Sequence, residues 1–285
     1  MSPLLVVIAS AFFAGAVAIG VTLAIEKWGG VLGGFLGTLP TTIIPAAVGM
    51  RLNLGSDAAF ADAILAAPAG MLLNAGFLFL WRVLPGRLPS WSLGARLAVM
   101  VMVSLSAWFA SAVALVIAIQ ALRHTGVSMT AFGIAVTGAI ATVGVLACLR
   151  PLPAPRGNRR VTPVMLLARG VLAAGAIAVS VWIASLGGTL SAGVASVFPA
   201  IFLTTMVALW VAQGEAVPAG AVGPMMLGST SVAVYALVAS QSLPALGPAL
   251  GSLLAWLVAA TCVTLPATVW LSWLRRRQVS EVAGR

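Results

Sequence analysis

Two short stretches join a helix-breaking residue to hydroxyl side chains: LPTT at 39–42 and FPAIFLTT at 198–205. Proline removes an amide donor and collides with the preceding helical turn, so Pro40 and Pro199 are expected to interrupt the helices that carry them. Thr41 and Thr42 follow the first proline at once. Thr204 and Thr205 follow the second one helical turn later, so both pairs can face the same way relative to their break. Loosened carbonyls, half-helix amide donors and threonine hydroxyls together suit the holding of a small polar solute. The same hydroxyls can instead bond back to the loosened carbonyls. Further polar groups lie deep in apolar surroundings, namely Asn74 and the run Ser229, Thr230 and Ser231. A buried amide needs partners, so Asn74 reads as an interhelical hydrogen bond or as a ligand contact. Asp62 is the best candidate for a proton-coupling carboxylate. Trp108 and Trp256 read as packing residues or as the gate and wall of a cavity.

None of these groups forms a catalytic set. The chain has no phosphate-binding glycine loop, no HExxH or GxSxG motif and no Cys/His cluster. Its single histidine, His124, has no ligand neighbours, and its two cysteines, Cys148 and Cys262, fall in separate apolar runs. Neither enzyme activity, a metal site nor a cofactor is expected.

The elements that must position the polar groups are membrane helices. Of 285 residues 61% are hydrophobic and 7% charged, and the mean hydropathy is +1.14. Apolar runs of about 20 residues recur along the chain, each long enough to cross a bilayer. This predicts an all-α polytopic membrane protein with about nine spans, near 3–25, 30–50, 58–82, 95–121, 127–149, 163–186, 188–211, 216–240 and 246–273. The first run lacks a basic leader and is too long for a signal peptide, so it is read as a retained helix. The net charge of +10 resides mostly in loops, which points to lipid headgroups and away from nucleic acid. With nine spans, only Arg51 and Arg123 of the fifteen basic residues fall on one side. The basic side is then cytoplasmic, with the N-terminus outside and the C-terminus inside a bacterial-type inner membrane. Arg169, about two turns inside the sixth span, is expected to snorkel to the cytoplasmic headgroups. Glu26, Asp57 and Glu215 are expected near span ends.

The two halves resemble each other. GAVAIGVTLA (15–24) aligns with GAIAVSVWIA (175–184), and GGVLGGFLGTLPTTI with GGTLSAGVASVFPAIFLTT once one residue is inserted. Pro40 then matches Pro199, and Gly34 matches Gly193. APAGM (67–71) parallels GPMM (223–226), and SLSAW (104–108) parallels SLLAW (252–256). The order implies a duplicated four-helix unit, 1–122 and 163–285, joined by an extra helix and linker, 123–162. Five crossings separate the two starts, so the second copy enters the membrane inverted. Gly29, Gly33 and Gly37 form a small-residue stripe, matched by Gly188, Ala192 and Ser196, along which spans two and seven are expected to cross each other or close neighbours. Pro68 with Gly70, and Gly223 with Pro224, are expected to break spans three and eight.

GVASVFPAIFLTT and GSLLAWLVAA resemble the short four-span GlpM-type bacterial membrane proteins, over parts of two spans. The resemblance implies a four-helix unit, duplicated here, and no substrate. The inverted repeat with matched breaks points to a secondary transporter or exporter of a small solute, working by alternating access around a midplane site. A channel and a non-transporting scaffold or assembly factor are the alternatives. Lipids and a small-molecule or ion substrate are the expected partners, and a homodimer is compatible.

Overall fold

The computed structural model describes residues 2–28, 36, 39–149, 162–215 and 217–283, and within these the protein is helical, with no strand. The helices are α1 (Pro3–Trp28), α2 (Ile43–Asn53), α3 (Asp57–Val83), α4 (Leu93–His124), α5 (Met129–Leu149), α6 (Pro163–Ser185), α7 (Thr189–Ala195) and α8 (Ala200–Gln213). The tract from Val217 onward is two helices, α9 (217–246) and α10 (248–283), and α10 contains a π turn at Ala260–Thr264. Among the described residues seven helical segments are long and apolar enough to cross a membrane, so the chain is a multi-pass membrane protein.

Local signals set the helix starts. The Ser56 hydroxyl accepts from the Ala59 amide, Ser92 from Ala95, and Thr162 from Met165 ahead of Pro163. The α9–α10 joint depends on Gly247, whose φ of 79° and ψ of 168° suit only glycine. Gly247→Ala is expected to cost about 1–3 kcal/mol, read as a lower midpoint of thermal unfolding in detergent.

The centre of the molecule is α3. Its apolar window is 72% buried, against 22% for those of α1, α4 and α5, which turn large side chains such as Phe12, Phe109, Ile117 and Ile134 outward. Around α3 pack α5, α7 and α9, while α1 lies against α6. Small residues bring these backbones together, as expected where lipid supplies no hydrophobic drive between helices. A Cβ on Gly15 of α1 would lie 3.1 Å from the Gly170 carbonyl oxygen of α6, and one on Gly144 of α5 would lie 2.7 Å from Leu227 Cα of α9.

Two expectations from sequence need correction. Helix α3 passes through Pro68 without a break, and α9 passes through Pro224. One lost amide bond is tolerated in a well-packed helix, and the adjoining glycines serve contact: Gly70 meets Val197 and Val194, and Gly223 meets the Ala147 backbone. Gly29, Gly33, Gly34 and Gly37 lie outside the described residues. Their matched stripe in α7 turns to its sequence neighbour α6, where the Ser180 hydroxyl donates to the Ala192 carbonyl at 2.8 Å and Gly188 abuts Ile183. Gly193 lies off that stripe and seats α7 against the Ala63 carbonyl of α3.

Candidate functional site

The apolar segment Thr189–Val211 leaves the helical path between Ala195 and Ala200. Pro199 is buried and occupies the N-cap position of α8, with φ −75° and ψ 38°. Local turns satisfy several of the loosened groups: Phe198 N donates to Ala195 O at 3.1 Å, Leu203 N to Pro199 O at 2.7 Å and Ser196 Oγ to Gly193 O at 2.6 Å. A side chain from another helix takes the Val197 carbonyl. Asn74 Nδ2 of α3 donates to it at 2.7 Å, and Asn74 Oδ1 accepts from the Trp108 indole of α4 at 2.8 Å. Trp108 in turn meets Phe198 edge to face, with ring centroids 5.3 Å apart.

Asn74 therefore makes the interhelical bond, and Trp108 both packs and donates. Asn74→Leu would leave the Val197 carbonyl and the indole N–H buried without these partners. At about 1–3 kcal/mol for each group, a loss on the order of 2–5 kcal/mol is expected, measured by thermal unfolding in detergent.

The threonines after Pro199 meet a charge. Arg169 lies in α6, only 7% exposed, and does not snorkel. Its Nε donates to Thr204 Oγ1 at 3.1 Å, one terminal nitrogen to Thr205 Oγ1 at 2.8 Å, and the other to Thr22 Oγ1 of α1 at 2.8 Å. Thr22 and Thr204 give their own protons to the carbonyls of Ala18 and Ala200, which leaves their lone pairs for the guanidinium. Of the alternatives from sequence, Thr204 does bond back, and its hydroxyl also accepts from Arg169. Three threonine hydroxyls accept from the guanidinium and fix the planar fork in direction. Arg169 is what sequence reasoning missed. Its depth within an apolar run was the signal, but nothing in the local sequence shows that α1 and α8 bring threonines to it.

At the first interruption Pro40 is buried, and Thr41 and Thr42 are half-buried just before α2, where Thr42 makes no side-chain cap. No described contact joins them to Thr204 or Thr205. In α9, Ser229 donates back to Met225 O at 3.0 Å and Ser231 to Gly228 O at 2.8 Å. Among the described residues, Thr230 Oγ1 and the Trp256 indole nitrogen are buried without a hydrogen-bond partner. Asp62 is ion-paired with Arg123 at 2.6 Å, its side chain a quarter exposed. The pair lies near the start of α3. Arg51 with Asp57 and Arg96 with Glu215 form two further pairs near helix ends, each at 2.7 Å. No cluster of three metal-ligating side chains occurs among the described residues.

No protein family, curated protein or solved structure matches the chain. Fold and site define a multi-pass helical membrane protein with a buried arginine beside an interrupted helix.

Proposed function

We propose that the protein is a secondary transporter or exporter of a small solute carrying a negatively charged group, working by alternating access between two inverted four-helix copies. The observation that carries this reading is the Arg169 fork. It joins Thr22 of the first copy to Thr204 and Thr205 after the interruption in the second. An ionisable residue at such depth is a functional candidate by default. A guanidinium in a low-dielectric setting, held in one direction, favours a carboxylate or phosphate over neutral solutes. Pro40 and Pro199 supply the interruptions that such sites employ. The described ion pairs fit the nine-span topology in either orientation, since each joins residues which that topology assigns to one side. The resemblance to GlpM-type proteins fits a four-helix ancestral unit.

Cysteine accessibility tests the reading. Cys148 and Cys262 are replaced and single cysteines placed at Thr42 or Thr205. Right-side-out and inside-out vesicles are then treated with a membrane-impermeant thiol reagent. Labelling of the same position from both faces is the expected result. Labelling from neither face would mean dry interruptions and a scaffold. Flux of small organic anions that does not saturate would indicate a channel.

A further inference from the structure

Helix α8 carries Thr204 and Thr205, and it packs its backbone mainly on α6 and on the tract after Val217, all within the second half of the chain. Long side chains tie its two ends to α3 and α4 of the first half. At the Pro199 end these are the Asn74 bond to the Val197 carbonyl and the edge contact of Trp108 with Phe198. The far end carries a second group. The Trp210 indole donates to the Leu93 carbonyl at 3.3 Å, and its ring meets Trp81 edge to face with centroids 5.9 Å apart. Glu215, just beyond α8, pairs with Arg96, whose Nη1 lies 2.9 Å from one carboxylate oxygen and 2.7 Å from the other. The second terminal nitrogen of Arg96 donates to the Pro85 carbonyl at 2.7 Å, which fixes the guanidinium on the α3–α4 joint. Among the described ion pairs, this one crosses between the halves. Arg51–Asp57 joins α2 to α3 and Arg123–Asp62 joins α4 to α3, all helices of the first half. The geometry also suits release. One nitrogen serves both carboxylate oxygens, and Arg96 Nε makes no hydrogen bond among the described residues. A fork of two nitrogens would hold the carboxylate more firmly.

We propose that Arg96, Glu215 and Trp210 form a gate, which clasps the end of α8 to the first half and closes one mouth of the path to Arg169, Thr204 and Thr205. Glu215 lies ten residues beyond Thr205, about three helical turns, so the clasp stands between the site and that face of the membrane. Opening on this face parts Glu215 from Arg96 and Trp210 from Leu93. Helix α8 then swings with the second half about the Pro199 interruption, while the Gly193 contact with Ala63 keeps α7 on α3. This inference rests on the transporter reading, in which the two halves part at one face at a time. The balance between the two states then answers to the strength of the clasp.

The gate is tested with the single cysteine placed at Thr205, through the ratio of labelling from the two faces of the vesicles. A cysteine placed instead at Ser90, exposed in the α3–α4 joint, marks the vesicle type that presents the clasp face. Glu215→Gln removes the charge at nearly constant shape. It is expected to raise labelling from the clasp face, relative to the other face, by about fivefold, the upper end for a partly exposed ion pair. Trp210→Phe keeps an aromatic ring, removes the bond to Leu93 and shifts the ratio the same way. Asp57→Asn breaks an ion pair within the first half and leaves the ratio unchanged. An unchanged ratio in Glu215→Gln, an equal rise from both faces, or a shift of the same size in Asp57→Asn overturns the gate. Should Glu215→Gln fail to fold, Trp210→Phe is judged by the same outcomes. If the parent single-cysteine protein is labelled from both faces, the transporter reading survives the loss of the gate. Labelling of that parent from neither face removes the reading and the gate together.

Discussion

Arg169→Met is expected to lower the uptake of small organic anions into proteoliposomes by about a hundredfold or more, and to leave the protein about as stable in detergent as the unmodified chain. The two halves of this expectation have separate physical sources. A hydrogen bond between a charged donor and a solute oxygen is worth about 1.5–3 kcal/mol, and about 1.4 kcal/mol is a factor of ten, so loss of the fork removes one to two orders of magnitude before the lost charge is counted. Stability is a different matter. Burying a charge is costly, and an apolar side chain of similar length avoids that cost, which offsets the lost hydrogen bonds to Thr22, Thr204 and Thr205. Two of the three threonine acceptors keep their own protons on backbone carbonyls in any case. Arg169→Lys retains the charge but presents it as a point rather than a fork, so an intermediate loss of about tenfold in uptake is expected. A fall in stability on the order of 3–5 kcal/mol in Arg169→Met, with uptake per folded molecule unchanged, would make Arg169 a structural clamp and refute its binding role.

Gly193→Ala is expected to destabilise the fold by about 2–4 kcal/mol, the largest effect of any glycine-to-alanine change outside the turns among the described residues. A Cβ there would run into the carbonyl oxygen and carbon of Ala63, and its third neighbour is the Ala66 methyl at 3.0 Å. The obstruction is backbone, so no rotamer change relieves it and α7 must move off α3. In a membrane the packing of small residues is itself the attraction between helices, so the separation is not offset elsewhere. Gly175→Ala is the control. A Cβ at Gly175 meets nothing within 4 Å, and alanine is the better helix former, so no loss or a small gain is expected. Thermal unfolding of both variants in one detergent provides the comparison, and equal midpoints would show that the α3–α7 contact is looser than described.

Composition alone made the helical, membrane-crossing character legible, because a run of twenty apolar residues has few other uses. The interruption at Pro199 was equally legible, since the effect of proline on a helix is local. Pro68 and Pro224 show the limit of that logic. Their helices continue because neighbouring helices enclose them, and the glycines beside them make contacts. Asn74 was legible as a buried amide in need of partners, but its acceptor lies 123 residues away on a carbonyl exposed by the break.

By itself, then, the sequence determined where apolar helices run, where Pro199 parts one of them, and which polar side chains are carried into the interior. These follow from hydropathy and backbone sterics, which act over a few turns. Only the tertiary structure decided that Arg169 stays inside rather than reaching the headgroups, that Thr22, Thr204 and Thr205 accept from it there, that Asp62 is taken up by Arg123, and that Asn74 and Trp108 are hydrogen-bonded while Thr230 Oγ1 and the Trp256 indole have no hydrogen-bond partner among the described residues. The fate of a polar group in an apolar interior depends on which partners come within about 3 Å of it. Those partners come from other helices, so the outcome depends on how the helices pack.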